Sequence, residues 1–386
     1  MQEVVDESAS TYFHGVARIA SRKNSIKAVI VVTHAVPGVY DFLQALNKYI
    51  RVVAVIAKPS SRDPKSLHKI RESFAILNYS REYIKTNPAT VLSGLRELLH
   101  DESFAIIDTG GYFAPCIQRL CDEFGGQFYG VVEDTENGHQ KYEQSKRALK
   151  GQLPRPVLSV ARSDLKEAED YLVGHAIVFS AEAVLRQFSE ILTGQVATVL
   201  GFGKIGRSIA HALQARHVQV IVVDIDPIKK VCALSHGFQV ADKLDALSSA
   251  SLIFCATGNR SISFNDLKLT EQECYVFCAT SADDEIHDIA QIYAHCERTN
   301  GAHLVLNKKR ARTWLCNGGN SINFMHGGVV GHYIKLVQGE LTLALSELQR
   351  TPAGNVAAMP NEAKQFLADL WINAFHDNNR RQIDYD

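Results

Sequence analysis

The stretch VATVLGFGKIGRSIAHAL, residues 196–213, decides the fold. Val196–Leu200 is a short apolar run of the kind that forms a strand buried on both faces of a parallel sheet. Gly201, Gly203 and Gly206 then supply the spacing G-x-G-x-x-G. In such a turn the first glycine allows the tight bend, the second lets a pyrophosphate approach the backbone, and the third lets helix and strand pack closely. The following IGRSIAHALQA reads as a helix whose N-terminal N–H groups and dipole favour an anion. A lone G-x-G-x-x-G is weak evidence, but this one follows a strand and opens a helix. A second strand, VQVIVVDID (218–226), comes next, with Asp224 about 20 residues beyond the turn, where a carboxylate reaches the ribose hydroxyls. A carboxylate there favours NAD over NADP, and Asp226 competes for the same role. The bland alternative is a glycine-bearing βαβ unit with no ligand.

Working outward, 386 residues exceed one ordinary core and imply two domains. Hydrophobic residues make up 46% and charged residues 22%, as in ordinary globular chains. The net charge of −1 gives no basic excess to steer the chain toward nucleic acid. MQEVVDESAS at the start lacks an apolar core and is not read as a secretory signal. No apolar run approaches the ~18 residues that span a bilayer. None of the eight cysteines forms C-x-x-C, and neither HExxH nor an EF-hand pattern occurs. The expectation is a reducing, cytoplasmic location, no metal, no membrane and no nucleic acid.

Before the turn, IKAVIVVTH (27–34), IRVVAVIAKP (50–59), SFAIIDTGG (103–111), QFYGVVEDT (127–135) and PVLSVAR (156–162) read as buried strands separated by helical patterns. A long helical pattern runs from Asp164 to about Leu192, broken or bent near Gly174. ASLIFCATG (250–258), CYVFCATS (274–281), AHLVLNKK (302–309) and TWLCNGG (313–319) continue the strands after the turn. The fold class is α/β: two doubly wound domains with mainly parallel sheets, the second a Rossmann NAD-binding domain. The expected boundaries are 1–176 for a substrate domain, completed by C-terminal helices at about 333–386, and 177–332 for the cofactor domain.

Several segments resemble the adenosylhomocysteinase family, the NAD-dependent hydrolases of S-adenosylhomocysteine. They are VATVLGFGKIGRSIAHAL, VIVVDIDPIKKVCALSHGFQV and IFCATGN in the second half, and GVVEDTENG (130–138) and PVLSVARSDLKEAEDYLVG (156–174) in the first. The similarity runs from about residue 27 to about 345, strong in the cofactor domain and patchy before it. The resemblance implies that a ribose 3′-hydroxyl is oxidised with bound NAD, which acidifies C4′, permits loss of the 5′ thiol and addition of water, and is then reversed. The protein positions groups and moves protons.

Lys166 and Asp170, four apart on a predicted helix, share a face. The resemblance sets them at the 3′-hydroxyl, with Lys166 as a base; the plain reading is a surface i,i+4 pair. His34 ends the strand AVIVVT, where open α/β sheets bind ligands, and falls on a family catalytic histidine. Glu133 and Asp134 end another strand, and Asp134 replaces a family glutamate. Cofactor contacts are expected from Gly201, Gly203, Lys204, Ile205, Gly206, Asp224, Thr257, Gly258, Asn259 and Asn323. His326 and His332 in HGGVVGH are further candidates.

The chain also departs from that family. Thr109 stands for an aspartate, AVPG with Gly38 follows His34, ATSADDE replaces a segment carrying a histidine for which His287 is a stand-in, and Tyr171 replaces an asparagine. The C-terminal Lys and Tyr that reach a neighbouring subunit's NAD have no counterpart in RRQIDYD. The expected ligand is a nucleoside or thioether nucleoside, and the expected assembly is a homo-oligomer, dimer or tetramer, with a dimer through the cofactor domain the simplest form. Two rivals stand beside this reading. One is a catalytically impaired NAD-binding pseudoenzyme or scaffold. The other is an NAD-dependent hydroxy-acid dehydrogenase, which needs an arginine such as Arg162, Arg260 or Arg312 to hold a carboxylate.

Overall fold

A computed structural model describes residues 7–21, 25–299, 302–309 and 311–376. The chain divides into two compact units, one of residues 1–169 with 331–386 and the other of residues 170–330.

In the first unit, seven strands among the described residues form one sheet. Its spatial order is Val356–Ala357, Val157–Ser159, Phe128–Glu133, Phe104–Asp108, Ala28–Ala35, Arg51–Arg62, Ala75–Ile76. Every pairing in it is parallel. The period-2 alternation of a strand explains the layering. Val29 and Val31 enter one hydrophobic core, whereas Ala28, Ile30 and Val32 enter the core on the other face. A strand covered on both sides has to be apolar at every position, and the run AVIVV is.

The C-terminal helices Tyr333–Glu347 and Asn361–Phe375 return to this unit and pack against the N-terminal helix Glu7–Ala20. Two glycines permit the close approach. A Cβ on Gly339 would lie 2.1 Å from the Tyr12 hydroxyl, and one on Gly15 would lie 2.8 Å from Leu370.

The second unit holds an eight-stranded sheet, counted among the described residues, in the order Glu297–Arg298, Leu304–Asn307, Arg312–Leu315, Cys274–Cys278, Leu252–Cys255, Val196–Leu200, Gln219–Val223, Gln239–Val240. Its pairings are parallel except those of Leu304–Asn307 with both neighbours, which are antiparallel. Leu252 and Phe254 face one core and Ile253 and Cys255 the other. The fold class is therefore α/β with two doubly wound, mainly parallel sheets, and the second is Rossmann-like.

Three local readings need correction. The helix Asp164–Gln187 continues through Gly174 without a break. Gly174 is small for a packing reason: a Cβ there would meet Ser208 Oγ at 2.3 Å, and that hydroxyl donates to the Tyr171 carbonyl. The segments TGG and CNGG do not extend their strands, which end at Asp108 and Leu315. Gly110, Gly111, Gly318 and Gly319 have positive φ instead. Among the described residues no helix is long and apolar enough to cross a membrane. The tail RRQIDYD lies outside the described residues.

Candidate functional sites

In the second unit the glycine turn has the geometry that its spacing demands. Gly201 has φ 95°, and a Cβ there would lie 2.9 Å from the Ala256 carbonyl oxygen and from Thr257 Cγ2. Gly206 leaves still less room: its Cβ would lie 1.9 Å from the Gly201 carbonyl oxygen. Around Gly203, by contrast, a Cβ would meet nothing within 4 Å. Gly203 is the N-cap of the helix Lys204–Gln214 and brings no side chain to its first turn. Open space at the end of a helix whose first N–H groups carry no side-chain cap suits a pyrophosphate.

Asp224 stands at the edge of this turn. One carboxylate oxygen accepts the Phe202 N–H at 2.7 Å and the other the Asp226 N–H at 2.9 Å. Asp226 is employed differently, as the N-cap of the helix Pro227–Ser235, where its carboxylate accepts the Ile228 N–H. Lys204 opens the cofactor helix, an unfavourable place for a cation, and Asp170 lies 3.5 Å from it. Ile205 packs against the core of the unit. Asn323 is buried and accepts the Ser321 hydroxyl proton at 2.6 Å.

The loop after Leu252–Cys255 is held by a residue that sequence reasoning passed over. Glu285 is fully buried. It accepts hydrogen bonds from Gly258 N–H (2.9 Å), Thr257 Oγ1 (3.0 Å), Ser261 Oγ (2.9 Å) and Thr280 Oγ1 (3.2 Å). Burial raises its pKa against these donors. Asn259 closes the loop by donating its N–H to Thr257 Oγ1. Glu285 ends ATSADDE, a segment that sequence reading noticed only for the histidine it lacks. His287 is exposed, with its backbone N–H on the Ile262 carbonyl.

The first unit gathers charge at the carboxyl edge of its sheet. The Lys166 side chain is 9% exposed, and its ammonium lies 2.8 Å from Asp134 and 3.1 Å from Glu169. Lys166 thus pairs with Asp134 and Glu169, and the helix that carries it, Asp164–Gln187, also carries Asp170. Its Lys166 end meets the carboxylates of the first unit, and Asp170 meets Lys204.

His34 closes the strand Ala28–Ala35 with Nδ1 2.5 Å from Ser61 Oγ. Burial, then the Lys58 and Lys166 ammonium groups, hold its pKa well below the usual histidine value, so the imidazole is neutral. Gly38 after it has φ 85° and begins the helix Val39–Tyr49, which gives AVPG a backbone reason. Buried Lys58, in the adjacent strand Arg51–Arg62, escaped sequence notice because it directly follows the apolar run VVAVIA.

Glu133 adjoins Asp134 in sequence yet is turned inward. One oxygen accepts from Gly110 N–H, Thr135 N–H and Thr135 Oγ1, and the other from Gly111 N–H. Asp108 beneath it accepts from Tyr112 N–H, Phe113 N–H and the Tyr142 hydroxyl. Burial and the Asp108 charge push Glu133 up to about 8. Both carboxyls shape the loop that contains buried Thr109. Glu340 is another buried acid that sequence reading missed; burial pushes it up to about 7, against the Ser163 hydroxyl, Lys166 and Lys364.

Other candidates are drawn elsewhere. Arg162 and Arg312 engage Glu136 and Glu273 at the surface, and Arg260 adopts positive φ. His332 stacks on Phe375, while His326 is exposed and lies edge-on to Phe179. Among the described residues no group of three His, Cys, Asp or Glu is arranged to hold a metal ion.

Comparison with known proteins agrees with the second unit. Residues 171–330 match the family model described as S-adenosyl-L-homocysteine hydrolase, NAD binding domain. Among solved structures, a dipicolinate synthase subunit from Bacillus halodurans is similar with a TM-score of 0.45 and 10% identity, over 84% of this chain and 98% of that one. A putative D-isomer specific 2-hydroxyacid dehydrogenase from Polaromonas sp. is similar with a TM-score of 0.45 and 13% identity, over 86% and 98%. The second unit is an NAD-binding domain similar to that of S-adenosyl-L-homocysteine hydrolase, and NAD is its cofactor.

Proposed function

We propose that this chain is an NAD-dependent enzyme that oxidises a secondary hydroxyl, the ribose 3′-hydroxyl of a nucleoside or thioether nucleoside, as the first step of an elimination or hydrolysis. The observation that carries the reading is the buried group of Lys166, Asp134 and Glu169. With bound NAD supplying the two-electron oxidation, the residues of the chain have to accept the proton of the hydroxyl. An ammonium beside two carboxylates has a net charge of −1. It takes up one proton to become neutral, without leaving an isolated buried charge. Lys166 passes its own proton toward Asp134 or Glu169 and receives that of the hydroxyl. Neutral His34, held by Ser61, is suited to moving a second proton. The match of residues 171–330 to the NAD domain of a nucleoside-thioether hydrolase supports the choice of substrate class.

The test is direct. Purified protein is denatured and the released nucleotide identified. Native protein is then titrated with adenosine, S-adenosylhomocysteine and related nucleosides while NADH absorbance is followed. The expected result is released NAD and an absorbance rise with at least one nucleoside. Protein that neither retains nor binds NAD overturns the reading.

A second reading, an NAD-binding scaffold without turnover, is favoured by one observation. Thr109 stands where the resembling family has a carboxylate, and the nearby Glu133 and Asp108 are consumed by loop hydrogen bonds. Bound NAD that no nucleoside reduces selects this reading.

A further inference from the structure

The register between the strands Ala28–Ala35 and Arg51–Arg62 breaks beside His34. Thr33 pairs with Ala57 and Ala35 with Arg62, so His34 alone stands opposite the four residues 58–61. The bulge is clamped by Arg62, whose guanidinium donates to the Ala57 carbonyl through Nη2 at 2.7 Å and Nε at 3.1 Å. Bulges re-aim side chains and recur next to functional sites. This one brings Ser61 onto His34 and sets Lys58, 9% exposed, at the same edge of the sheet. The Lys58 ammonium reaches Gly110, in the loop after Phe104–Asp108. It lies 3.2 Å from where a Cβ on Gly110 would stand. Arg81 reaches the same glycine from a different element, with Nη1 donating to its carbonyl at 3.5 Å. Arg81 is the first residue of the helix Arg81–Thr86, a place where the helix dipole disfavours a cation.

We propose that Lys58 and Arg81 hold an oxyanion group, a phosphate or a carboxylate, that the substrate carries. The inference rests on the reading above that this edge is the substrate site, and it adds the charge of the substrate. The acids of the edge are engaged by other donors. Asp134 and Glu169 flank Lys166. Glu133 and Asp108 accept from loop N–H groups and hydroxyls. Lys58 attracts Asp108, yet burial outweighs that attraction and holds the Asp108 pKa above its usual value. A buried ammonium gains much from an anion, because little water screens the pair. A lysine supplies a point charge and an arginine a planar fork, and together they suit the oxygens of either group. The arrangement also bears on His34, which the ammonium groups of Lys58 and Lys166 help to keep neutral. An anion bound at Lys58 offsets one of them, so His34 becomes a better proton acceptor once the substrate is in place.

Calorimetry on the full-length, NAD-loaded protein tests it, with the parent, Lys58→Met and Arg81→Gln side by side. Inorganic phosphate and malonate probe the two cations without a nucleoside. Adenosine, adenosine 5′-monophosphate and 5′-(2-carboxyethyl)thioadenosine probe them with one. The expected result is that one simple anion binds the parent, and that the nucleoside carrying the same group binds at least about tenfold tighter than adenosine. Binding of phosphate and the monophosphate assigns a phosphate; binding of malonate and the thioether acid assigns a carboxylate. Each substitution is expected to remove this advantage. A parent protein that binds neither simple anion and prefers neither charged nucleoside overturns the proposal, as does an advantage that survives both substitutions. Failure of the nucleoside reading is seen separately. NAD that no nucleoside reduces, with phosphate or malonate binding lost in both variants, keeps the anion site and assigns it to another substrate. Lys58 is buried, so thermal melts accompany its variant. If Lys58→Met fails to fold, the partly buried Arg81 decides alone through Arg81→Gln.

Discussion

The Lys166 ammonium and the Asp134 carboxylate are 2.8 Å apart in a setting that exposes 9% of the lysine side chain and 19% of the aspartate side chain. One partner comes from a helix and the other from the turn after the strand Phe128–Glu133, so the pair joins segments 32 residues apart. Exposed ion pairs contribute little. A largely buried one commits its charges: removing Lys166 takes the shared ammonium from both Asp134 and Glu169, whereas removing Asp134 leaves the ammonium paired with Glu169.

Lys166→Met is accordingly expected to abolish nucleoside-dependent NADH formation, lowering it by about 10²–10⁴-fold as for loss of a proton-transfer group. Bound NAD should be retained, since the substitution leaves the glycine turn untouched. Asp134→Asn is expected to fall between the two. Unchanged rates in Lys166→Met leave the lysine without a chemical role. Absorbance during single turnover, together with nucleotide content, separates these outcomes.

Glu285→Ala removes the acceptor for Gly258 N–H and three hydroxyls. The hydroxyls can rotate to other partners, but the backbone N–H cannot. A buried donor left unsatisfied costs about 1–3 kcal/mol, so NAD affinity measured by calorimetry should fall roughly ten- to a hundredfold. Glu285→Gln keeps one acceptor for Gly258 and should lose less.

Gly203 and Gly206 make a controlled pair. Gly206→Ala forces a Cβ to within 1.9 Å of the Gly201 carbonyl oxygen, so the second unit should be destabilised and melt earlier. Gly203→Ala meets nothing within 4 Å. Its melting without cofactor should stay near that of the parent, while the methyl group intrudes where a pyrophosphate approaches and weakens NAD binding. Equal melting temperatures for the two cofactor-free variants contradict this division of labour.

Stability should depend on Glu340. Its folded pKa, pushed by burial up to about 7, lies above the ordinary value of 4.5. The stabilising contribution is therefore complete below pH 4.5 and is lost as pH rises through 7. Glu340→Gln should flatten this part of the profile, a change on the order of 3 kcal/mol between pH 4.5 and 8. Glu133, pushed up to about 8, adds a fall of the same sign in both proteins. Denaturant melts at a series of pH values read the difference.

What the sequence determined by itself was whatever local chemistry dictates. An apolar run such as AVIVV has to be covered on both faces, and a G-x-G-x-x-G between strand and helix has to turn tightly. Both the α/β class and the cofactor turn followed from short windows whose constraints are steric. Lys166 and Asp134 were legible as candidates, but not as partners, because helical spacing suggested Asp170 and only the folded chain brings a strand end to the lysine. The inward turn of Glu133 was hidden for the same reason, since two of its donors, Gly110 and Gly111, follow another strand's end. Glu285 and Glu340 were illegible because each sits in an unremarkable acidic or helical stretch, and their significance is burial. Tertiary structure alone decides which carboxylates lose water and which donors replace it, because desolvation depends on everything packed around a group and not on its neighbours in sequence.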